Sequence, residues 1–193
     1  MTEKKSPQER VMALELAPGP LDAAMQAYFT KCEEKLGFVP NVLHAYSFDL
    51  AKLKAFVAMS DDLMLAPSGL SKLEREMIAI VVSCANHCHY CLVAHGAAVR
   101  RLSSDPVLAE TLVANYRAAK LDARTRAMLD FCWKLTETPW LIEEEDRQAL
   151  RRAGFSERDI WDIAAVAGFF AMSNRISSAT AKEPNREYYS MHR

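Results

Sequence analysis

No apolar run in this sequence reaches the about eighteen residues that a membrane span needs. The N-terminal stretch, MTEKKSPQER, is polar and lacks the apolar core of a secretory signal. Neither sign of charge is in surplus. The 24 Lys and Arg stand against 25 Asp and Glu, a net charge of −1, so nothing electrostatic favours nucleic acid or an anionic membrane. Sustained apolar–polar alternation is missing, which excludes a real sheet. Cysteine is odd in number, five, and draws no secreted disulfide framework. No glycine-rich or charged fingerprint marks a substrate. These absences leave a chain of 193 residues, half apolar and a quarter charged, long enough for one buried core. The expected location is the cytoplasm, where thiols stay reduced and a close cysteine pair is catalytic more often than structural.

Turn and cap residues then divide the chain. Residues 1–20 read as an irregular lead-in broken by Pro7, Pro18, Gly19 and Pro20; 21–180 as one all-α domain, a bundle of about eight helices; 181–193 as a polar, aromatic tail. Gly37 stops the helix over 21–36, and Pro40 starts a short one over 41–46. Asp49 caps the next, to about Leu65, and Asp105-Pro106 opens another, to about Tyr116. Asp122 starts a helix to about Thr136, residues 143–152 form a charged helix ended by Gly154, and Ser156 caps a long one to about Ala179. An internal echo aligns LSKLEREMIAIV (70–81) with LDARTRAMLDFC (121–132) at Leu70/Leu121, Arg75/Arg126 and Met77/Met128. It fits either a repeated helical hairpin or the common apolar periodicity of helices.

The chemistry concentrates in residues 71–102, which hold three of the five cysteines and three of the five histidines. Ser71 and Glu74 have capping-box spacing, and Leu73, Met77, Ile80 and Val81 give a helical apolar face. Asn86 and His87 interrupt it, and Cys88 stands at the start of the next helix. Cys88 and Cys91 are three apart, Cys91 and His95 four apart, so all three share a helix face. A helix N-terminus favours negative sulfur, which lowers a thiol pKa there. His95 can take a thiol proton, and Glu76, folded back by a helix–turn–helix, can hold the imidazole. This is the parts list of a dithiol redox site. Cys84, Cys88, Cys91 and the histidines 87, 89 and 95 also suffice in number for zinc, but no second CxxC or H-x₃₋₅-H pair accompanies them, so no metal or cofactor is expected. Cys84, Cys32 and Cys132 fit core positions; Trp133, Trp140 and Trp161 fit core or subunit contacts.

The spacing Glu76, Cys88, Cys91, His95 resembles the active-site signature of the alkylhydroperoxidase D-like (AhpD-like) proteins of the carboxymuconolactone decarboxylase superfamily. The flanking runs GFVPNVLHAYSFDLAKLKAF, ARTRAMLDFCWKLT and GFSERDIWDIAAVAGFFAMSNR resemble its peroxidase-related branch. The likeness covers roughly residues 36–190. It implies an all-helical subunit in a symmetric homo-oligomer, trimer or hexamer. It also implies a thiol peroxidase in which Cys91 attacks a small peroxide and Cys88 resolves it; spacing alone allows either order. The reductant it implies is an external dithiol, lipoyl or thioredoxin-like. Family members often carry His immediately before the second cysteine; here that residue is Tyr90, with His89 one earlier. Two other readings stay open: a redox-responsive scaffold whose disulfide changes assembly without turnover, and a decarboxylase-type enzyme, against which the CxxC speaks. Phe169, Phe170, Met172 and the aromatic tail are the surface expected to drive oligomerisation.

Overall fold

Side-chain caps start most of the helices. The Asp22 carboxylate accepts from the Met25 N–H to open α1 (Ala23–Leu36), and Gly37, at φ +83°, ends it in the left-handed region where glycine carries no Cβ penalty. α2 (Asn41–Tyr46) follows Pro40. Asp49 caps α3 (Leu50–Leu65), and Ser71 with Glu74 closes a full capping box on α4 (Lys72–Ala85). α5 (His89–Ser103) begins at Cys88. Asp105 caps α6 (Pro106–Asn115), which tightens into a 3-10 turn at Tyr116–Ala118. Asp122 caps α7 (Ala123–Glu137), α8 spans Glu144–Arg152, and a Ser156–Asp159 box opens α9 (Glu157–Ala179). This computed structural model describes residues 10–193; residues 1–9 of the expected lead-in, Pro7 included, lie outside it. Nine α-helices and no strand run through the described residues, and none of these helices is long and apolar enough to cross a membrane.

α4 is the axis. Every side chain from Met77 to Ser83 is buried, and α3, α5, α6, α7 and α9 all pack on it. The sequence pattern predicts one apolar face; the structure buries the helix on all sides, as a run of Ile78-Ala79-Ile80-Val81-Val82 demands. The echo between α4 and α7 has a physical counterpart. Arg75 and Arg126 each stand four residues after the cap, and each turns its guanidinium onto carbonyls at the end of the preceding helix. Arg75 donates to Leu63, Ala66 and Leu70 at 2.9–3.1 Å. Arg126 donates to Tyr116, Arg117 and Ala119 at 2.7–3.2 Å. Such charge-assisted bonds satisfy carbonyls that a helix end leaves orphaned.

One expectation needs correction. Phe169 and Phe170 are not oligomer surface: they are 4% and 3% exposed, Phe169 on Phe56 and Phe170 on His95. α9 lies between the bundle and the α1–α3 layer, so two of its faces are filled within the subunit. The tail packs on the bundle. Arg100, 5% exposed, donates to the carbonyls of Tyr188 (2.6 Å) and Met191 (2.9 Å), which pins a 3-10 turn at Arg186–Tyr189 against α5. A buried guanidinium needs acceptors, and the tail supplies them.

Candidate active site

The α4–α5 corner is set by backbone geometry. The His87 N–H donates to the Cys84 carbonyl and the Cys88 N–H to the Ser83 carbonyl (2.9 Å), the two bonds of a Schellman turn. His87 occupies its left-handed position, φ +51°, where glycine is usual. Cys88 therefore ends one helix and caps the next. Buried Asn174 of α9 braces the corner, accepting from Asn86 Nδ2 (3.1 Å) and donating to Ser83 Oγ (3.0 Å).

Cys88 and Cys91 are each 1% exposed and act directly on one another. The Cys91 side chain, then the Cys91 N–H at the first turn of α5, and the Ser177 and Asn174 side chains converge on Cys88. They outweigh its burial and lower its pKa from 9.0 to about 6. Cys91 is displaced upward, first by its bond to Cys88 and then by burial. The pair thus shares one proton, and the charge favours Cys88, which the Cys91 side chain, the Cys91 N–H and Ser177 serve, while Asn174 serves both sulfurs.

Glu76 and His95 meet: Oε2 lies 2.6 Å from Nδ1, and the ring stands edge-on to Phe170 at 4.6 Å. With Nδ1–H donated to the carboxylate, Nε2 is left as the basic atom. Cys91, His95 and Glu76 line a cavity of about 270 Å³, walled largely by apolar side chains such as Val42, Phe56, Met64 and Phe169. A larger groove of about 680 Å³ beneath residues 10–18 holds none of these residues. The structure thus brings all four expected site residues into one place.

The carboxymuconolactone decarboxylase family model matches residues 52–131. Over the whole chain, a peroxidase-related protein from Silicibacter sp. TM1040 is 60% identical, covers 100% of both chains and superposes with a TM-score of 0.91. An AhpD-core, peroxidase-related protein from Ralstonia eutropha JMP134 is 38% identical over 95% of this chain and 97% of its own, TM-score 0.90. The chain belongs to the carboxymuconolactone decarboxylase family, in its AhpD-like branch. The debrominase Bmp8 shares the fold at 19% identity, covering 94% of this chain and 97% of its own, TM-score 0.77. No curated protein sequence matches the chain.

Against the AhpD-like pattern, the position before the second cysteine has a different task. Tyr90 is buried, and its hydroxyl accepts from the Val42 N–H at 3.0 Å, while Asn185 Oδ1 accepts from the Asn41 N–H at 2.7 Å. Pro40 offers no capping side chain, so these two distant residues cap α2. His89 turns outward to the Tyr189 hydroxyl, 3.0 Å away. Cys84 bonds the Leu112 and Val113 carbonyls, and burial lifts its pKa to about 11. Cys132 is core, whereas Cys32 is half-buried and reaches the cavity wall. Among the described residues, no group of three or more His, Cys, Asp or Glu is placed to hold a metal ion.

The sequence reading missed Asn174, Ser177 and Lys182. Asn174 and Ser177 stand three apart on one face of α9, which is a signal for the first two; nothing local points to Lys182.

Proposed function

We propose that this protein is a thiol-dependent peroxidase. The observation that supports the reading most is a proton-sharing sulfur pair at the N-terminus of α5 whose second member, Cys91, borders an apolar cavity beside the Glu76–His95 pair. An apolar organic hydroperoxide suits that cavity. Cys91 passes its proton to the Cys88 thiolate and attacks the terminal peroxide oxygen. The O–O bond breaks, and the leaving alkoxide takes the proton from Cys88. Cys91 is now a sulfenic acid. The restored Cys88 thiolate attacks its sulfur; hydroxide leaves and becomes water by taking the proton that Cys88 first gave up to His95 Nε2, the imidazolium being held by Glu76. Two thiols and one hydroperoxide give one disulfide, one alcohol and one water. An external dithiol then reduces the Cys88–Cys91 bond.

Peroxide consumption with dithiothreitol as donor tests this. Cys91→Ser abolishes turnover, and Cys88→Ser stops after one sulfenic acid per chain. His95→Ala slows the reaction by about 10²-fold or more. Unchanged turnover in Cys91→Ser would end the reading. A disulfide that forms once and never cycles would favour a redox switch.

A homo-oligomer belongs to the same proposal. With Phe169 and Phe170 inside, the surface that supports it is the outer stripe of α9, where Trp161, Met172 and Ile176 are 61%, 46% and 36% exposed. Met172→Glu shifts the mass seen by light scattering toward the monomer; a wild-type chain that is already monomeric contradicts the idea.

A further inference from the structure

Lys182 is 5% exposed, a position where a lysine is rarely found without an anion. Its Nζ donates to Ser177 Oγ at 3.1 Å and lies 4.9 Å from the centre of the Tyr90 ring and 5.8 Å from that of Tyr46. A second Schellman turn puts it there. At the end of α9 the Ala181 N–H donates to the Ser178 carbonyl and the Lys182 N–H to the Ser177 carbonyl, with Ala181 left-handed at φ +47°. The turn folds the lysine back over Ser177. The Ser177 hydroxyl accepts from the ammonium, so its own proton is free to be donated to Cys88 Sγ. Ser177 therefore stands between a buried cation and the first sulfur. Cys88, Ser177 and Lys182 also border a small cavity of about 190 Å³, separate from the one at Cys91.

We propose that Lys182, with Ser177, is a positioning residue that holds the negative charge of the Cys88–Cys91 pair. The proposal rests on the dithiol reading and assigns an order to the reductive half-reaction. A thiolate of the external dithiol attacks Cys91 Sγ. The Cys88–Cys91 bond breaks, and its electron pair leaves on Cys88, where Ser177 and the ammonium receive it. The thiol with the lower pKa leaves faster. The donor's second thiol then gives its proton to Cys91 as it attacks the donor sulfur of the mixed disulfide. Cys91 departs as the thiol, and the donor leaves as its own disulfide.

The titratable groups that face Lys182 are Cys88, Cys91 and Tyr90 of α5, Tyr46 of α2, and His87, His89 and Glu183 around the cavity. Burial pulls Lys182 down from 10.5 to about 8, while both sulfurs push it back up. Its hold on Cys88 is therefore present below about pH 8 and lost as pH rises through that value.

The test is the pH profile of Cys88 alkylation by iodoacetamide in the reduced full-length chain, mapped by mass spectrometry. Lys182→Gln keeps a donor for Ser177 but removes the charge. It moves the Cys88 midpoint up by about one unit, an about tenfold loss of thiolate below the midpoint. Lys182→Arg keeps the midpoint and, because arginine does not titrate, removes the change in Cys88 reactivity near pH 8. A folded Lys182→Gln chain with the wild-type midpoint overturns the proposal. Should that chain not fold, a Lys182→Arg profile that still changes near pH 8 overturns it. Neither readout uses peroxide, so a protein without peroxidase turnover leaves this inference standing on its own result.

Discussion

Replacing Cys91 by Ala takes away the largest of the influences that lower Cys88. In the intact pair Cys88 falls from 9.0 to about 6, with the Cys91 side chain ahead of the Cys91 N–H, Ser177 and Asn174. A hydrogen bond to a charged group is worth about 1.5–3 kcal/mol, and one pKa unit corresponds to about 1.36 kcal/mol. Loss of the Cys91 S–H therefore raises Cys88 by about one to two units, to about 7–8. The remaining donors keep it below an ordinary thiol. The sign follows from the thiolate being the charged, reactive form: in the wild type Cys88 reactivity persists down to about pH 6 and is lost below it. In Cys91→Ala the loss occurs at higher pH. Ultraviolet thiolate absorbance of the reduced chain, checked by alkylation mapped to Cys88, reads both midpoints. A Cys91→Ala midpoint that stays at about 6 or falls lower refutes the assignment of the shared proton.

Other consequences lie away from the sulfurs. Arg75→Met strands the carbonyls of Leu63, Ala66 and Leu70 in the interior, and denaturant unfolding should show a loss of about 2–5 kcal/mol. Gly69→Ala would put a Cβ 1.9 Å from Asp159 Oδ1. That carboxylate must leave the Ser156 cap of α9, so the melting temperature falls, by about 1 kcal/mol or more of lost capping. His87→Gly relieves a left-handed non-glycine, φ +51°, and should raise stability by about 0.5–1 kcal/mol after the larger unfolded-state entropy of glycine is counted. An unchanged or lower unfolding midpoint in His87→Gly would contradict the strain assigned to that turn.

What the sequence determined by itself is local. Asp22, Asp49, Ser71, Asp105, Asp122 and Ser156 each bond an N–H two or three residues on, so the helix starts were legible without any tertiary contact. The dithiol was legible for the same reason: Cys88, Cys91 and His95 sit within two turns of one helix, and Glu76 is returned to them by one tight corner. Tertiary structure decided everything that depends on distant segments meeting. α2 is capped by Tyr90 and Asn185, residues 48 and 144 positions away in sequence. Phe169 and Phe170 went inside because α9 is covered on two faces, which its own periodicity does not reveal. Which sulfur carries the charge was likewise undecidable from CxxC spacing, since both orders fit one helical turn. What lowers Cys88 is the Cys91 side chain and N–H together with Ser177 and Asn174, the last two brought in on α9, a helix about which the CxxC spacing says nothing.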